Sequence, residues 1–166
     1  KKTNTIALTG IELFSNTLLI ELAKFITLIS NNGFEIKILI EAKTELNPNN
    51  KNNELLESLC SKTDNSWDYI YIHDQYTWIN TLASAKLLIS NSSDYIIAAS
   101  FLNTPSIILD DNIQNSQLST LLNIQQPISI NNPKLLPDSL IQHTVAVLED
   151  PLLFLPPQNL ALFETH

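Results

Sequence analysis

The residues best suited to chemistry form one short run, Asn91-Ser92-Ser93-Asp94, set between the apolar β-rich stretches Leu87 to Ser90 and Ser106 to Leu109. The interval between those stretches has room for only one helix of about three turns, so Ala85 to Asp111 reads as strand, polar turn, helix, short turn, strand. In such a βαβ unit the polar turn falls where the carboxyl end of a parallel strand meets a helix N-terminus, the place where open α/β sheets bind ligands. Two hydroxyls and the free N–H groups of the helix start suit a neutral or anionic oxygen-rich ligand. The same serines are equally suited to plain N-capping. Asp94 favours the helix dipole but would repel a diphosphate.

Other candidates sit at the ends of the remaining strands. Thr9-Gly10 closes the first apolar run. His73-Asp74 offers an imidazole beside a carboxylate, the pairing that raises a histidine pKa and fixes its tautomer. Neighbouring residues of a strand point to opposite faces, so direct pairing requires the strand to have ended there. Asp110-Asp111 could hold a divalent cation, although consecutive carboxylates in a loop read more simply as a solvated turn with Asp111 or Asn112 as a cap. The candidate ligand-binding set is therefore Thr9, Gly10, His73, Asn91, Ser92, Ser93 and Asp111, with no residue assigned to catalysis. Gly10 and Gly33 are the only glycines, which excludes the dinucleotide, P-loop and Gly-x-Ser-x-Gly patterns. No histidine cluster has metal-ligand spacing, and neither a metal nor a cofactor is expected.

Composition narrows the partners. The formal net charge is -8 over 166 residues, which argues against a nucleic-acid groove. There is no arginine, so nine lysines supply all fixed positive charge and a bidentate guanidinium clamp on phosphate is ruled out. Cys60 is the single cysteine, which excludes a disulfide framework and fits a reducing cytosol, hence a cytoplasmic protein. No apolar run reaches bilayer-spanning length. Methionine is absent, position 1 included, which implies a processed product or a piece of a longer protein.

The elements that must position these residues alternate. Thr5 to Thr9 is a strand; Leu18, Leu19, Leu22, Phe25, Ile26 and Ile29 form one helical stripe with Ser15 or Asn16 as N-cap, and Asn31-Asn32-Gly33 ends it. Phe34 to Ile40 is a second strand, followed by a polar loop, Glu45 to Asn53, and a short helix, Glu54 to Cys60. Tyr69 to His73 is a third strand. Thr77 to Ala85 is a helix with Trp78, Leu82 and Ala85 on one face. After the central unit come a helix over Gln114 to Leu122, a short strand over Pro127 to Ile130, and a helix over Pro137 to Leu148 with Leu140, Ile141, Thr144 and Leu148 inward and His143 facing solvent. The expected fold is a Rossmann-like, doubly wound α/β domain over residues 1–150, with a mainly parallel sheet of about six strands flanked by helices, and a tail over residues 151–166 packing on it.

The run Ala85-Lys86-Leu87-Leu88-Ile89-Ser90-Asn91-Ser92-Ser93, the Ala98-Ala99 pair in the helix, then Leu102-Asn103-Thr104-Pro105 and Ser106-Ile107-Ile108-Leu109, resembles the C-terminal nucleotide-sugar-binding domain of GT-B glycosyltransferases. The heptosyltransferase-like and polysaccharide pyruvyl transferase-like branches look most similar. Asn32-Gly33-Phe34-Glu35-Ile36 and the segment from Leu136 to Pro151 extend the resemblance over most of the chain. Departures are equally specific. Where the heptosyltransferase-like pattern has Asp, Gly and His at donor-contacting positions, this chain has Ser92, Asp94 and Ile97, and the glycine of the turn before Pro105 is Asn103. The resemblance carries over Asn91, Ser92 and Ser93, with Thr9 and Gly10 as the corresponding first-strand loop.

The resemblance implies the donor-side domain of a glycosyltransferase-like protein in glycan or polysaccharide biosynthesis, inactive alone, with a nucleotide sugar as ligand and an N-terminal acceptor domain or a protein partner completing the cleft. The alternative implied by the lost donor residues is a non-catalytic interaction module with an exposed apolar patch around Leu152 to Phe163. The opening strand and helix are also similar to nucleoside deoxyribosyltransferase-like enzymes. Their catalytic glutamate has no counterpart, since no glutamate lies between Glu57 and Glu149.

Overall fold

The computed structural model describes residues 2–11, 14–41, 67–72, 74–110, 113–122 and 127–155. Its strands are β1 (Thr5–Thr9), β2 (Glu35–Glu41), β3 (Trp67–Ile72), β4 (Leu87–Ser90), β5 (Ser106–Asp110) and β6 (Ile128–Ser129); its helices are α1 (Asn16–Asn31), α2 (Gln75–Ser84), α3 (Ser93–Phe101), α4 (Ile113–Leu122) and α5 (Leu136–Glu149). The strands form one sheet in the order β3-β2-β1-β4-β5-β6, every neighbouring pair parallel. This is the doubly wound Rossmann order. The expected loop Glu45 to Asn53 and helix Glu54 to Cys60 lie outside the described residues, as does the chain beyond Leu155.

β1, β4 and β5 are buried along their whole length, as parallel strands covered on both faces must be, so they read as unbroken apolar runs and not as alternations. The alternation reappears in what each side chain touches. Ile6 and Leu8 of β1, Leu87 and Ile89 of β4, and Ile107 and Leu109 of β5 join a core with α1 and α5, whereas Ala7 and Leu88 pack with Leu82 of α2 and Ala99 of α3. Ile108 faces Ile96 of α3, with Leu118 and Leu122 of α4 against it. Thus α1 and α5 cover one face and α2, α3 and α4 the other.

The stripe on α1 buries Leu18, Leu19, Leu22, Phe25, Ile26 and Ile29, each contributing roughly 1.5–3 kcal/mol. Ser15 is its N-cap, accepting from the Leu18 N–H at 3.3 Å. α2 and α3 end close to the amino edge of the sheet, where Lys2 ties them together. Its ammonium donates to Ala83 O at 2.7 Å, Leu102 O at 3.3 Å and Thr104 Oγ1 at 2.6 Å, and burial pushes its pKa down. Asn103 closes α3 with φ 57°, a left-handed position that asparagine tolerates where glycine would be usual.

Three expectations are corrected. α5 turns Leu136, Leu140, Thr144 and Val147 inward and leaves Leu148 46% exposed. Seven residues bring an α-helix back to within about 20° of its starting direction and eight overshoot by about 80°, so Val147, not Leu148, follows Leu140. His143 is half-buried; its Nδ1 lies 2.9 Å from Ser139 O and its ring packs edge-on against Phe154. Asp110 is the last residue of β5 and only 7% exposed, not part of a solvated turn.

Candidate functional site

The chain runs outward from β1 to β3 on one side and from β4 to β6 on the other, so the topological switch point lies between β1 and β4. Ligands of doubly wound sheets bind outside the carboxyl ends of the strands at this point. Of the seven candidate residues, five fall here: Thr9 and Gly10 after β1, and Asn91, Ser92 and Ser93 after β4. His73 and Asp111 lie outside the described residues.

Register builds the floor of the site. Thr9 pairs with Ser90 across the parallel ladder, and both are fully buried. Thr9 Oγ1 donates to Ser90 Oγ at 2.6 Å, and the same oxygen accepts from the Ser92 N–H at 2.9 Å. One buried hydroxyl thereby fastens the end of β1 to the turn that starts α3. Ser90 was not singled out from sequence; the available signal is a hydroxyl closing an otherwise apolar strand of the central unit. Above this floor the two loops meet closely. Gly10 has φ +76°, and a Cβ placed on it would stand 2.1 Å from Asn91 Oδ1. Glycine is required there for conformation and for space.

Of the helices that start from this edge of the sheet, three have a polar residue at the described N-cap, and they differ. Ser15 caps α1, and Asp74 caps α2 by accepting from the Thr77 N–H at 2.9 Å and Thr77 Oγ1 at 3.0 Å. Asp74 Oδ1 is thus engaged at a helix end, while His73, the other half of the candidate acid/base pair, lies outside the described residues. Ser92 occupies the N-cap of α3 but makes no side-chain cap bond. The Ser92 and Ser93 hydroxyls and the N–H groups of Ser93 and Asp94 have no partner among the described residues, Ser92 being half-buried and Ser93 and Asp94 exposed. The capping expected of Ser92 or Ser93 is therefore not made, and these donors stay open to a ligand. Tyr95, in the first turn, is held edge-on by Trp78 at 5.4 Å between ring centroids.

The arrangement can bind but offers little for bond-making: hydroxyls, amide N–H groups and an asparagine converge, with no imidazole or thiol beside them among the described residues. No group of three or more His, Cys, Asp or Glu that could hold a metal occurs among the described residues. No described helix is long and apolar enough to cross a membrane.

No protein-family model and no curated protein matches the chain. Solved structures do. The chain is similar to the UDP-GlcNAc 2-epimerase of Neisseria meningitidis bound to UDP-GlcNAc, at TM-score 0.65 and 16% identity over 93% of this chain and 38% of that one. It is similar to S. aureus MnaA in its UDP co-structure, at TM-score 0.65 and 12% identity, covering 92% and 38%. The spinosyn rhamnosyltransferase SpnG matches at TM-score 0.61 and 14% identity, covering 92% and 39%. The chain thus spans about two fifths of the length of these neighbours, and at such identities the likeness is one of fold. Strand order, two-faced helix packing and neighbours agree that this is a Rossmann-like α/β domain.

Proposed function

We propose that the chain is the donor-side, nucleotide-sugar-binding domain of a glycosyltransferase-like protein in glycan or polysaccharide biosynthesis, inactive in transfer by itself. The observation that carries this reading is the unsealed start of α3 at the switch point. Its Ser93 and Asp94 N–H groups and the Ser92 and Ser93 hydroxyls are placed to donate to ligand oxygens, with Thr9, Gly10 and Asn91 as the adjoining wall. In a chain without arginine such groups are what can hold a phosphate. His73 and Asp111, following the third and fifth strands, belong to the same proposed edge. Two of the three neighbours named above were solved with UDP-GlcNAc or UDP. The reading assigns residues 1–150 to the domain and 151–166 to its tail, places it in the cytoplasm, and leaves the opposite wall of the cleft to an acceptor domain or partner protein.

The test is thermal melting and amide NMR against a panel of UDP, UDP-sugars and other nucleotide sugars. At a hundredfold excess over Kd a ligand stabilises by about 2.7 kcal/mol, a melting shift of roughly 5–10 °C for a chain of this size. Shifts should centre on Ser92 and Ser93. Ser92→Ala should melt like the parent, since its hydroxyl bonds nothing among the described residues, yet bind about 2–10-fold more weakly. Silence across the panel would refute the reading.

A further inference from the structure

At the opposite, amino-terminal edge of the sheet lies a cavity of about 360 Å³, lined by Pro105, Val147, Leu148, Pro151, Leu152 and Leu155 together with Lys2, Lys86 and Asn103. It is remote from the switch point, because Lys86 and Pro105 directly precede β4 and β5 and Lys2 lies three residues before β1. Two features set its chemistry. In a chain of net charge -8, its polar lining among the described residues consists of two lysines and an amide, with no carboxylate. The two lysines are also unlike. All three donors of Lys2 are committed to Ala83 O, Leu102 O and Thr104 Oγ1, whereas the exposed Lys86 ammonium and the Asn103 side-chain amide have no partner among the described residues. The remaining wall is aliphatic, and Leu148 and Leu152 are about half exposed, at 46% and 51%.

We infer that this cavity binds a small amphiphilic carboxylate, its head on Lys86 and Asn103 and its aliphatic body on Val147, Leu148 and Leu152. A carboxylate is favoured over a phosphate ester because one free ammonium matches a single negative charge, Lys2 being already saturated with acceptors. A small molecule is favoured over a protein surface because the volume lies near the lower end of the roughly 300–1,000 Å³ usual for ligand pockets. The inference is independent of the nucleotide reading, which concerns the other edge of the sheet.

The experiment is NMR titration of the whole chain with butanoate, hexanoate and octanoate, with octan-1-ol and octyl phosphate for comparison. Amide shifts should centre on Lys86, Asn103, Leu148 and Leu152, and each methylene fully buried should tighten binding about fourfold. Lys86→Ala, an exposed position that leaves the fold intact by circular dichroism, should weaken octanoate on the order of tenfold or more. Lys134→Ala, which removes the same charge from the turn after β6, should leave it unchanged. Octan-1-ol should bind at least tenfold more weakly than octanoate. Binding independent of chain length, equal losses in the two lysine variants, or octan-1-ol as tight as octanoate would overturn the proposal; tighter octyl phosphate would overturn the carboxylate assignment.

Discussion

Replacing Gly10 by alanine tests the closest contact in the candidate site. The substitution places a side chain at φ +76°, which costs about 1–2 kcal/mol for an L-residue in the left-handed region, partly offset by the lower entropy of the unfolded alanine chain. The new Cβ also meets Asn91 Oδ1 at 2.1 Å, with Asn91 Cγ at 3.3 Å. Asn91 must leave its position, adding about 1–2 kcal/mol from an off-rotamer side chain and lost packing. The expected total is about 2–4 kcal/mol, or on the order of 1–2 M in the urea midpoint. Asn91→Ala removes the opposing atoms and leaves Ser92 Cβ, at the ordinary contact distance of 3.4 Å, as the nearest neighbour. In that background Gly10→Ala should cost only the backbone part, so the double-mutant cycle should show about 1–2 kcal/mol of favourable coupling. Urea unfolding followed by far-UV circular dichroism reads all four proteins. Equal penalties in both backgrounds would show that the loops do not abut as described, and a loss within about 0.5 kcal/mol would show that Gly10 does not need its left-handed conformation.

Two further outcomes follow from buried polar contacts. Ser90→Ala should destabilise by about 1–3 kcal/mol, because it strands the buried Thr9 hydroxyl and the Ser92 N–H; adding Thr9→Val should cost little more, since that hydroxyl has already lost its acceptor. The Lys2 pKa is depressed from 10.5 by burial, which outweighs its three acceptors. Between the folded value and 10.5 the unfolded chain binds more protons, so the stability of the parent relative to Lys2→Met should rise with pH through that window and be flat below it. A difference that falls with pH, measured by urea unfolding of both proteins, would contradict the burial of the ammonium.

How much was legible depended on whether the signal was local. The α1 stripe, its Ser15 cap and its Asn31-Asn32-Gly33 stop all lie within one segment, and the structure keeps each. β1, β4 and β5 were legible because burial on both faces demands apolar runs. The strand order was not, since nothing within a strand says which neighbour it will pair with. The residues could therefore name candidate strand ends without showing which of them meet, and the sheet order is what puts Thr9-Gly10 beside Asn91 to Ser93. Long-range polar contacts were hidden for the same reason. Lys2 reads as part of a basic start, yet its partners are 81 to 102 residues away. Asp110 reads as a loop residue beside Asp111, but one more residue of strand buries it.

The turn after β4 illustrates what residue type alone cannot decide. Ser15, Asp74 and Ser92 are all good N-cap residues, and each precedes a helix. What separates them is the backbone and its surroundings. At Ser92, with φ -100° and ψ 118°, the N–H is drawn down onto the buried Ser90 hydroxyl while Gly10 and Asn91 close the turn from the side. Held in that way, the Ser92 side chain does not reach back to its own helix, and α3 forgoes roughly 1 kcal/mol of capping. α1 and α2 give up nothing comparable. A forgone cap at the helix that starts at the switch point is what a ligand-facing helix start should show, because a capped N–H cannot also serve a ligand. Asp94, exposed in the same first turn, complements the helix dipole, and a ligand phosphate at this helix start would have to be held against its carboxylate.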